Sequence, residues 1–236
     1  MLNDINIHKI LFLDIETVPR EETWENVGPE LRELFIQKTA YRVEKEKMDV
    51  KEFYESNAGI WAEFGKIICI SVGFITADHK IRIKSYYGHK EGEILTGFCS
   101  LLNDYFYSAQ CVLCAHNGKE FDFPYLARRM MVHQIELPNL LQLHGKKPWE
   151  IPHIDTMELW KFGDYKHYTS LNLLAHIFHI PTPKDDIDGS MVAEVYYKEK
   201  DLERIKTYCE KDVLTLAQIF RKFRYEPLLD IDEVRN

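Results

Sequence analysis

Short apolar runs alternate with longer amphipathic stretches along the chain, and this pattern predicts strands separated by helices. The clearest runs lie at 9–17, 66–76 and 111–117, and they suit strands buried within a sheet. Residues 80–88 alternate between apolar and polar side chains after a short turn, which predicts an antiparallel hairpin with 66–76. Amphipathic helices are predicted at 91–108, 121–134, 169–178, 190–199 and 201–224. The pattern therefore indicates an α/β fold with a mixed sheet covered by helices.

Residues 20–62 differ from the rest of the chain because they are highly charged, helical in pattern and without an evident catalytic motif. We interpret them as a helical insertion between the first two strands, which serves either as a lid or merely as a cover for the sheet. Residues 138–169 are mixed in character and rich in loops. Since no linker or repeat divides the chain, we expect residues 1–236 to form a single domain.

Composition narrows the class of protein. The chain has 45% hydrophobic and 29% charged residues, as soluble globular proteins do. Its N-terminus lacks the apolar segment of a secretory signal, and no apolar run approaches the roughly 20 residues of a membrane helix. The five cysteines are an odd and scattered set, which favours reduced thiols and a cytoplasmic location. Cys111 and Cys114 lie three apart on a predicted strand, so they should face opposite sides and cannot easily share one metal ion.

The net charge of −8 comes from 30 basic and 38 acidic residues. This balance argues against a protein that binds nucleic acid mainly through broad electrostatic attraction. It is compatible with an enzyme that binds a few nucleotides in an acidic cleft filled by metal ions.

The first candidate chemical group is a pair of carboxylates, Asp14 and Glu16, at the end of the apolar run Ile10–Leu13. Because side chains alternate along a strand, both carboxylates should face one side of the sheet. Burying two acids at a strand end is costly unless a cation lies between them, and a hard divalent cation with oxygen ligands is the natural candidate. The simpler alternative is a pair of solvated acids that only mark the strand end.

Two further acidic positions follow. Asp122 stands at the predicted start of a helix after a strand and a turn that Gly118 permits, where an acid is also favoured by the helix dipole alone. Tyr208 and Asp212 are four apart on the helix 201–224 and share a face at the rim of its apolar stripe. Glu210 and Lys211 should lie on the solvated side of that helix.

Three motifs together resemble those of the DEDD 3′–5′ exonucleases. They are, in order, Asp14-x-Glu16, Asn117-x-x-x-Phe121-Asp122 and Tyr208-x-x-x-Asp212. The tyrosine of the last motif is typical of the tyrosine subgroup. The first two motifs look most like the proofreading exonuclease domain of family B DNA polymerases, and the segment 186–190 is similar to stand-alone bacterial relatives of that domain. The resemblance covers residues 8–224 apart from 20–62, and 236 residues leave no room for a polymerase domain as well.

The resemblance implies a ribonuclease H-like fold and hydrolysis of terminal phosphodiester bonds at the 3′ end of single-stranded nucleic acid. DNA is favoured over RNA as the substrate, and nucleoside 5′-monophosphates would be released. Two Mg²⁺ or Mn²⁺ ions are implied, with Asp14 bridging both, Glu16 and Asp212 holding the first, and Asp122 supporting the second through water. Tyr208 would remain neutral and orient the attacking water. The alternative is a catalytically inert nucleic-acid-binding or scaffold protein on the same fold.

Several side chains are secondary candidates for substrate binding. Asn117 could orient the substrate terminus or merely cap the turn, and Phe121 could wedge against a terminal base or pack in the core. Lys184 could contact a phosphate. Asp155 could be a fifth ligand, but with Glu158 it fits a helix capping box better.

An aromatic run near residue 165 invites a further interpretation. Its aromatic residues are interleaved with basic ones in the order Trp160, Lys161, Phe162, Tyr165, Lys166, His167 and Tyr168. Such a run could stack bases and bind phosphates of a single strand, or it could be a satellite core.

Overall fold

The computed structural model describes residues 2–164, 168–181 and 187–229. Its centre is a five-stranded sheet with the strand order β3-β2-β1-β4-β5. The strands are β1 (Ile10–Pro19), β2 (Gly65–Ile75), β3 (Ile81–Tyr87), β4 (Val112–Ala115) and β5 (Ile154–Asp155). β2 pairs antiparallel with β1 and β3, whereas β4 pairs parallel with β1 and β5. The predicted hairpin and mixed sheet are confirmed, but β5 was not predicted.

Helices cover both faces of this sheet. They are α1 (Pro29–Glu46), α2 (Val50–Asn57), α3 (Glu91–Tyr105), α4 (Asp122–Val132), α5 (Thr156–Lys161), α6 (Leu171–Ile177), α7 (Val192–Glu194) and α8 (Leu202–Phe223). The helix predicted at 190–199 is only partly α-helical, because α7 continues as a wider π-helical turn at Val195–Glu199. Within the described residues, no helix has the combination of length and apolar character that crossing a bilayer requires.

The alternation of side chains along β1 divides the core into two layers. Leu11, Leu13 and Ile15 pack with the apolar faces of α3 and α4. Ile10 and Phe12 point the other way and pack with α8, where the Phe12 and Phe220 rings meet edge to face at 5.8 Å. Asp14 and Glu16 continue the α8 side of this alternation. The strand pattern therefore directs both acids towards α8.

The segment between β1 and β2 contains α1 and α2, which share a small aromatic cluster built around Phe35, Phe53 and Tyr54. The Phe35 ring meets Phe64, just before β2, at 4.9 Å. Tyr54 Oη also accepts a hydrogen bond from the Glu21 amide at 3.2 Å. These contacts attach the two helices to the ends of β1 and β2.

All five cysteines are reduced and buried. Cys111 packs in the layer of α3 and α4, whereas Cys114 packs in the layer of α8. The expectation that they face opposite sides of the sheet is confirmed.

Candidate active site

The acid pair on β1 lies at the centre of the sheet. Asp14 is paired across the sheet with Ser71 of β2, and Glu16 with Cys69. The register shifts between Glu16 and Thr17. Such an irregularity increases the local twist and re-aims the side chains next to it. Ligand atoms of Asp14, Glu16 and Cys209 all lie within 4.8 Å of one another.

Burial and neighbouring like charges act in the same direction on the pKa values of this pair. Burial raises the pKa of Asp14 well above its ordinary value, and the Asp212 and Asp122 carboxylates raise it further. Burial also raises the pKa of Glu16, with Asp14 and Asp212 as the next contributors. Carboxylates crowded in this way favour a neutral or cation-bound state. We call the region formed by Asp14, Glu16, Asp122, Tyr208 and Asp212 the acidic cleft.

Asp122 reaches the acidic cleft from the first residue of α4. Burial raises its pKa to about 7 and Asp155 adds to the shift, whereas hydrogen bonds with its own backbone and with that of Ile15 act in the opposite direction. Ile15 stands between Asp14 and Glu16, so this bond places the Asp122 carboxyl beside β1.

The turn before α4 explains two residues of the second motif. The left-handed residue of this turn is Asn117, with φ of 64°, and not Gly118. Glycine is needed at 118 for packing instead, because a Cβ there would lie 2.4 Å from Ala115 Cβ and 2.9 Å from Phe123 Cζ. The side chain of Asn117 makes no hydrogen bond within the described part of the chain, which disfavours the turn-capping alternative.

Asp155 holds this turn in place. Its Oδ1 accepts hydrogen bonds from the Asn117 amide at 3.0 Å and from the amides of Met157 and Glu158 at the start of α5. Its Oδ2 accepts one from the Lys119 amide at 3.0 Å. The predicted helix cap is confirmed, but Glu158 forms an ion pair with Lys119 at 2.6 Å. Asp155 thus fastens the turn that carries Asp122, a role that the sequence did not reveal.

Tyr208 and Asp212 approach the cleft from α8, as their spacing predicted. Burial raises the pKa of Tyr208 far above its ordinary value, and the charges of Asp212, Glu16 and Asp14 raise it further. A side-chain hydrogen bond links Tyr208 with Asp212. The phenol therefore keeps its proton and has a donor group next to the acids.

Cys209 belongs to the apolar core beside α8 and also contacts the acids. Its Sγ lies 3.3 Å from Asp14 Oδ2 and 3.4 Å from the Asp14 carbonyl oxygen, in geometry that lets the thiol donate. The hydrogen bond from Cys209 lowers the pKa of Asp14 and so opposes part of the shift from burial. In the sequence, the only indication of this contact is that Cys209 directly follows Tyr208.

The remaining candidates have different surroundings. Phe121 is half-buried against the core, and its ring meets Tyr125 at 5.3 Å, so packing accounts for part of its role. Glu210 was expected to be solvated, but its carboxylate accepts a hydrogen bond from Ser85 Oγ at 2.7 Å and pairs with Lys206 at 3.5 Å. Lys184 lies outside the described residues, as do Tyr165, Lys166 and His167.

The acidic cleft fits a hard divalent cation. Three of its carboxyls have raised pKa values, and the strongest influences on Asp14 and Glu16 are burial and neighbouring acids. A bound cation would remove that repulsion and stabilise the ionised carboxylates. The donors are mainly oxygen atoms, which suit Mg²⁺ or Mn²⁺.

This chain is similar to known proteins in sequence and in fold. The profile of a family described as predicted 3′–5′ exonucleases related to the exonuclease domain of PolB matches residues 60–229. A DNA polymerase of Pyrococcus glycovorans is 25% identical over 125 residues, which cover 48% of this chain and 16% of the polymerase. The structure of the family B DNA polymerase from the hyperthermophilic archaeon Pyrobaculum calidifontis is similar, with a TM-score of 0.56 and 15% identity.

The similarity to the Pyrobaculum calidifontis polymerase covers 92% of this chain and 24% of that chain, and it confirms the predicted ribonuclease H-like fold. The chain thus spans only a minor part of either polymerase. The match to the exonuclease profile begins at residue 60, so Asp14 and Glu16 lie before it. The sheet nevertheless pairs β1 with β2 and β4, which both lie inside the matched range.

Proposed function

Because the chain belongs to the family of predicted 3′–5′ exonucleases related to the exonuclease domain of PolB, we propose that it is a metal-dependent 3′–5′ exonuclease. Its substrate is single-stranded nucleic acid with a free 3′ end, DNA is favoured over RNA, and the products are nucleoside 5′-monophosphates. The observation that carries this proposal is the acidic cleft, in which burial and the carboxylates of Asp122 and Asp212 raise the pKa values of Asp14 and Glu16.

Two Mg²⁺ or Mn²⁺ ions are proposed as cofactors. Asp14, Glu16, Asp122 and Asp212 are the residues that would hold them. When bound, such ions supply Lewis-acid activation of the phosphodiester and of water, and they neutralise charge on the attacking and leaving oxygens.

Three side chains near the acidic cleft position the substrate and the attacking water. Tyr208 keeps its proton because burial and nearby carboxylates raise its pKa, so its Oη would orient the attacking water by a hydrogen bond and would not remove a proton from it. Asn117 stands on the turn that Asp155 fixes through the Asn117 backbone amide, and the side-chain amide of Asn117 is available to the 3′-terminal nucleotide. Phe121 follows on the same turn, where its backbone amide donates to the Asn117 carbonyl oxygen at 3.0 Å, and its ring would limit how far the terminal base enters.

The experiment that tests this proposal uses matched 5′-labelled single strands of DNA and RNA with Mn²⁺ or Mg²⁺. We expect a ladder that shortens from the 3′ end, requires the metal and is more rapid on DNA. Asp14→Ala serves as the control for contaminating nucleases, and it should produce no ladder.

Equal rates for the wild type and Asp14→Ala would show that the acidic cleft is not the catalytic site. No cleavage of either strand together with no binding of Mn²⁺ would favour the inert nucleic-acid-binding or scaffold protein. Faster cleavage of RNA would contradict only the substrate preference, which depends on contacts with the sugar that the motifs do not specify.

A further inference from the structure

A second concave surface lies where α5, α6 and the end of α8 meet. This cavity has a volume of about 600 Å³, and most of its lining is apolar. Trp160 stacks on Phe223 with 6.1 Å between ring centroids and 10° between ring planes, and Phe178 packs edge-on against both rings. Trp160 therefore packs with the other two rings and also lines the cavity.

Two further aromatic residues at the rim of this cavity are almost fully exposed. Phe162 is 91% exposed and Tyr225 is 96% exposed, and both line the cavity. Both also have left-handed backbone conformations: Phe162, directly after α5, has φ of 44°, and Tyr225, two residues beyond α8, has φ of 60°. Glycine adopts this conformation at helix ends without penalty, whereas bulky residues do not. Neither burial nor backbone preference explains why these positions hold large rings, so a binding role is indicated.

The charges around the rings suit an anion. Lys222 lines the cavity, and it has no ion-pair partner within the described ranges. Lys161 follows Trp160, and its Nζ lies 4.5 Å from the centroid of the Tyr168 ring. The nearby acid Glu158 is compensated by its ion pair with Lys119 at 2.6 Å. In a chain with a net charge of −8, lysines beside exposed rings offer a local match to phosphates.

Contacts connect this surface with the acidic cleft. Tyr168 Oη donates a hydrogen bond to Glu120 Oε2 at 3.3 Å, two residues before Asp122. Phe223 lies about 16 Å beyond Asp212 along the axis of α8, because an α-helix rises about 1.5 Å per residue. The surface therefore lies on the α8 side of the sheet, within reach of a strand whose end occupies the cleft.

We propose that Trp160, Phe162, Tyr225 and Lys222 form a stacking surface for single-stranded nucleic acid. We call these four residues the aromatic surface. It binds bases on the 5′ side of the nucleotide that enters the acidic cleft. Every base has a π face, so rings and lysines can hold a strand without regard to its sequence. This inference rests on the proposed function for the class of ligand and for the direction of the strand.

Binding can be measured without cleavage. The probe is a 5′-fluorescein oligothymidine of about fifteen nucleotides, followed by fluorescence anisotropy in EDTA with the full chain. We expect Phe162→Gly/Tyr225→Gly to bind at least about tenfold more weakly, because each stacked base contributes substantially to affinity. The loss should be at least about fivefold smaller with an oligothymidine of about four nucleotides, which is too short to occupy both the cleft and the aromatic surface.

A matched control is Tyr105→Ala, because Tyr105 is also an exposed aromatic residue but ends α3 on the opposite face of the sheet. Its affinity should stay within about twofold of the wild type. Lys222→Gln tests the charge separately. The logarithm of the association constant falls as the logarithm of the salt concentration rises, and this variant should make that slope shallower by about 0.7. The melting temperature of Phe162→Gly/Tyr225→Gly should not fall, because glycine relieves both left-handed positions.

Unchanged affinity of Phe162→Gly/Tyr225→Gly for the long probe would overturn the inference. The exposed rings would then favour a protein as the binding partner of this surface. A lower melting temperature of that variant, with affinity lost only in proportion to unfolding, would also overturn the inference. If the wild type degrades the long probe with Mn²⁺ and the variant binds it equally well, only this inference is wrong. If the wild type neither binds nor degrades the probe, the proposed function is wrong as well.

Discussion

Two buried glutamates of this protein have nearly the same exposure and opposite electrostatics. Glu16 is 7% exposed and Glu91 is 8% exposed. Burial raises the pKa of Glu16, and Asp14 and Asp212 raise it further. Burial acts on Glu91 in the same direction, but hydrogen bonds from Arg129, the Ile67 amide and His133 lower its pKa overall.

The difference lies in the partners. Arg129 Nε donates to Glu91 Oε1 at 2.8 Å, and the Ile67 amide donates to the same oxygen at 2.8 Å. Arg129 also donates to the Ala62 carbonyl oxygen, so Glu91 joins α3 and α4 to the start of β2. Glu91 is thus a structural acid paired with a cation within the fold, whereas Glu16 lies among acids that raise its pKa and that a bound cation would neutralise. The predictions below test that contrast.

The largest effect is expected for Asp14→Ala. Loss of a central carboxylate should reduce exonuclease activity by at least about 10³-fold, because bound metal ions stabilise the charge of the transition state by several kcal/mol. Its free energy of unfolding in EDTA should equal or exceed that of the wild type, because removing one acid relieves repulsion in the cleft. Activity assays paired with urea unfolding check both parts. A variant that is inactive because it is unfolded would contradict the prediction.

Arg129→Met should destabilise the protein by about 3–5 kcal/mol, because it leaves Glu91 buried without its main cation. The matched control is Arg128→Met, since Arg128 is an exposed neighbour on the same helix and should change stability by less than about 0.5 kcal/mol. Urea unfolding measures both variants. Equal stabilities of the two would show that Glu91 does not depend on Arg129.

Tyr208→Phe should slow cleavage by about 10- to 100-fold, since it removes the hydroxyl that orients the attacking water by a hydrogen bond but leaves every carboxylate in place. Single-turnover rates with saturating Mn²⁺ measure the loss. A loss as large as that of Asp14→Ala would show that the phenol does more than orient water.

The two kinds of acid should also respond oppositely to pH. The Asp122 pKa in the folded protein is raised to about 7, so without metal the folded state binds more protons than the unfolded state below that value. As the pH is lowered from 7 to about 5.5 in EDTA, the free energy of unfolding of the wild type should therefore rise relative to that of Asp122→Asn by about 2 kcal/mol.

Glu91 should show the reverse dependence. Its folded pKa lies below its ordinary value of 4.5, so its stabilising contribution is present above that pH and is lost as pH falls through the folded pKa. The stability advantage of the wild type over Glu91→Gln should therefore shrink in acid. If the stability differences between the wild type and Asp122→Asn and between the wild type and Glu91→Gln both grew, or both shrank, as the pH fell through these ranges, the contrast would be contradicted.

Local patterns in the sequence were sufficient for most of the fold. The apolar runs of β1, β2 and β4 predicted strands, and the alternation along β1 correctly placed Asp14 and Glu16 on one face. β5 was missed because two residues, Ile154 and Asp155, are too few to show any periodicity. The wider turn after α7 was also missed, since an apolar spacing does not distinguish it from a regular helix.

Contacts between distant elements could not be predicted. The thiol of Cys209 meets Asp14 across 195 positions of sequence, and this contact depends on how α8 crosses the sheet. Glu210 was expected to be solvated, yet the same crossing places it against Ser85 of β3. The bonds from Asp155 to the turn at Asn117 depend on β5 lying beside β4. Spacing along one helix or strand carries no information about its neighbours in space.

The most direct test of the contrast is the melting temperature of the wild type, Glu16→Gln and Glu91→Gln, each measured in EDTA and with excess Mn²⁺. In EDTA, Glu16→Gln should melt above the wild type and Glu91→Gln below it. Added Mn²⁺ should raise the melting temperatures of the wild type and Glu91→Gln, and that of Glu16→Gln much less, because ligand binding to the folded state stabilises it. If Mn²⁺ shifts all three equally, or if Glu16→Gln melts below the wild type in EDTA, the acidic cleft is not the cation site described here.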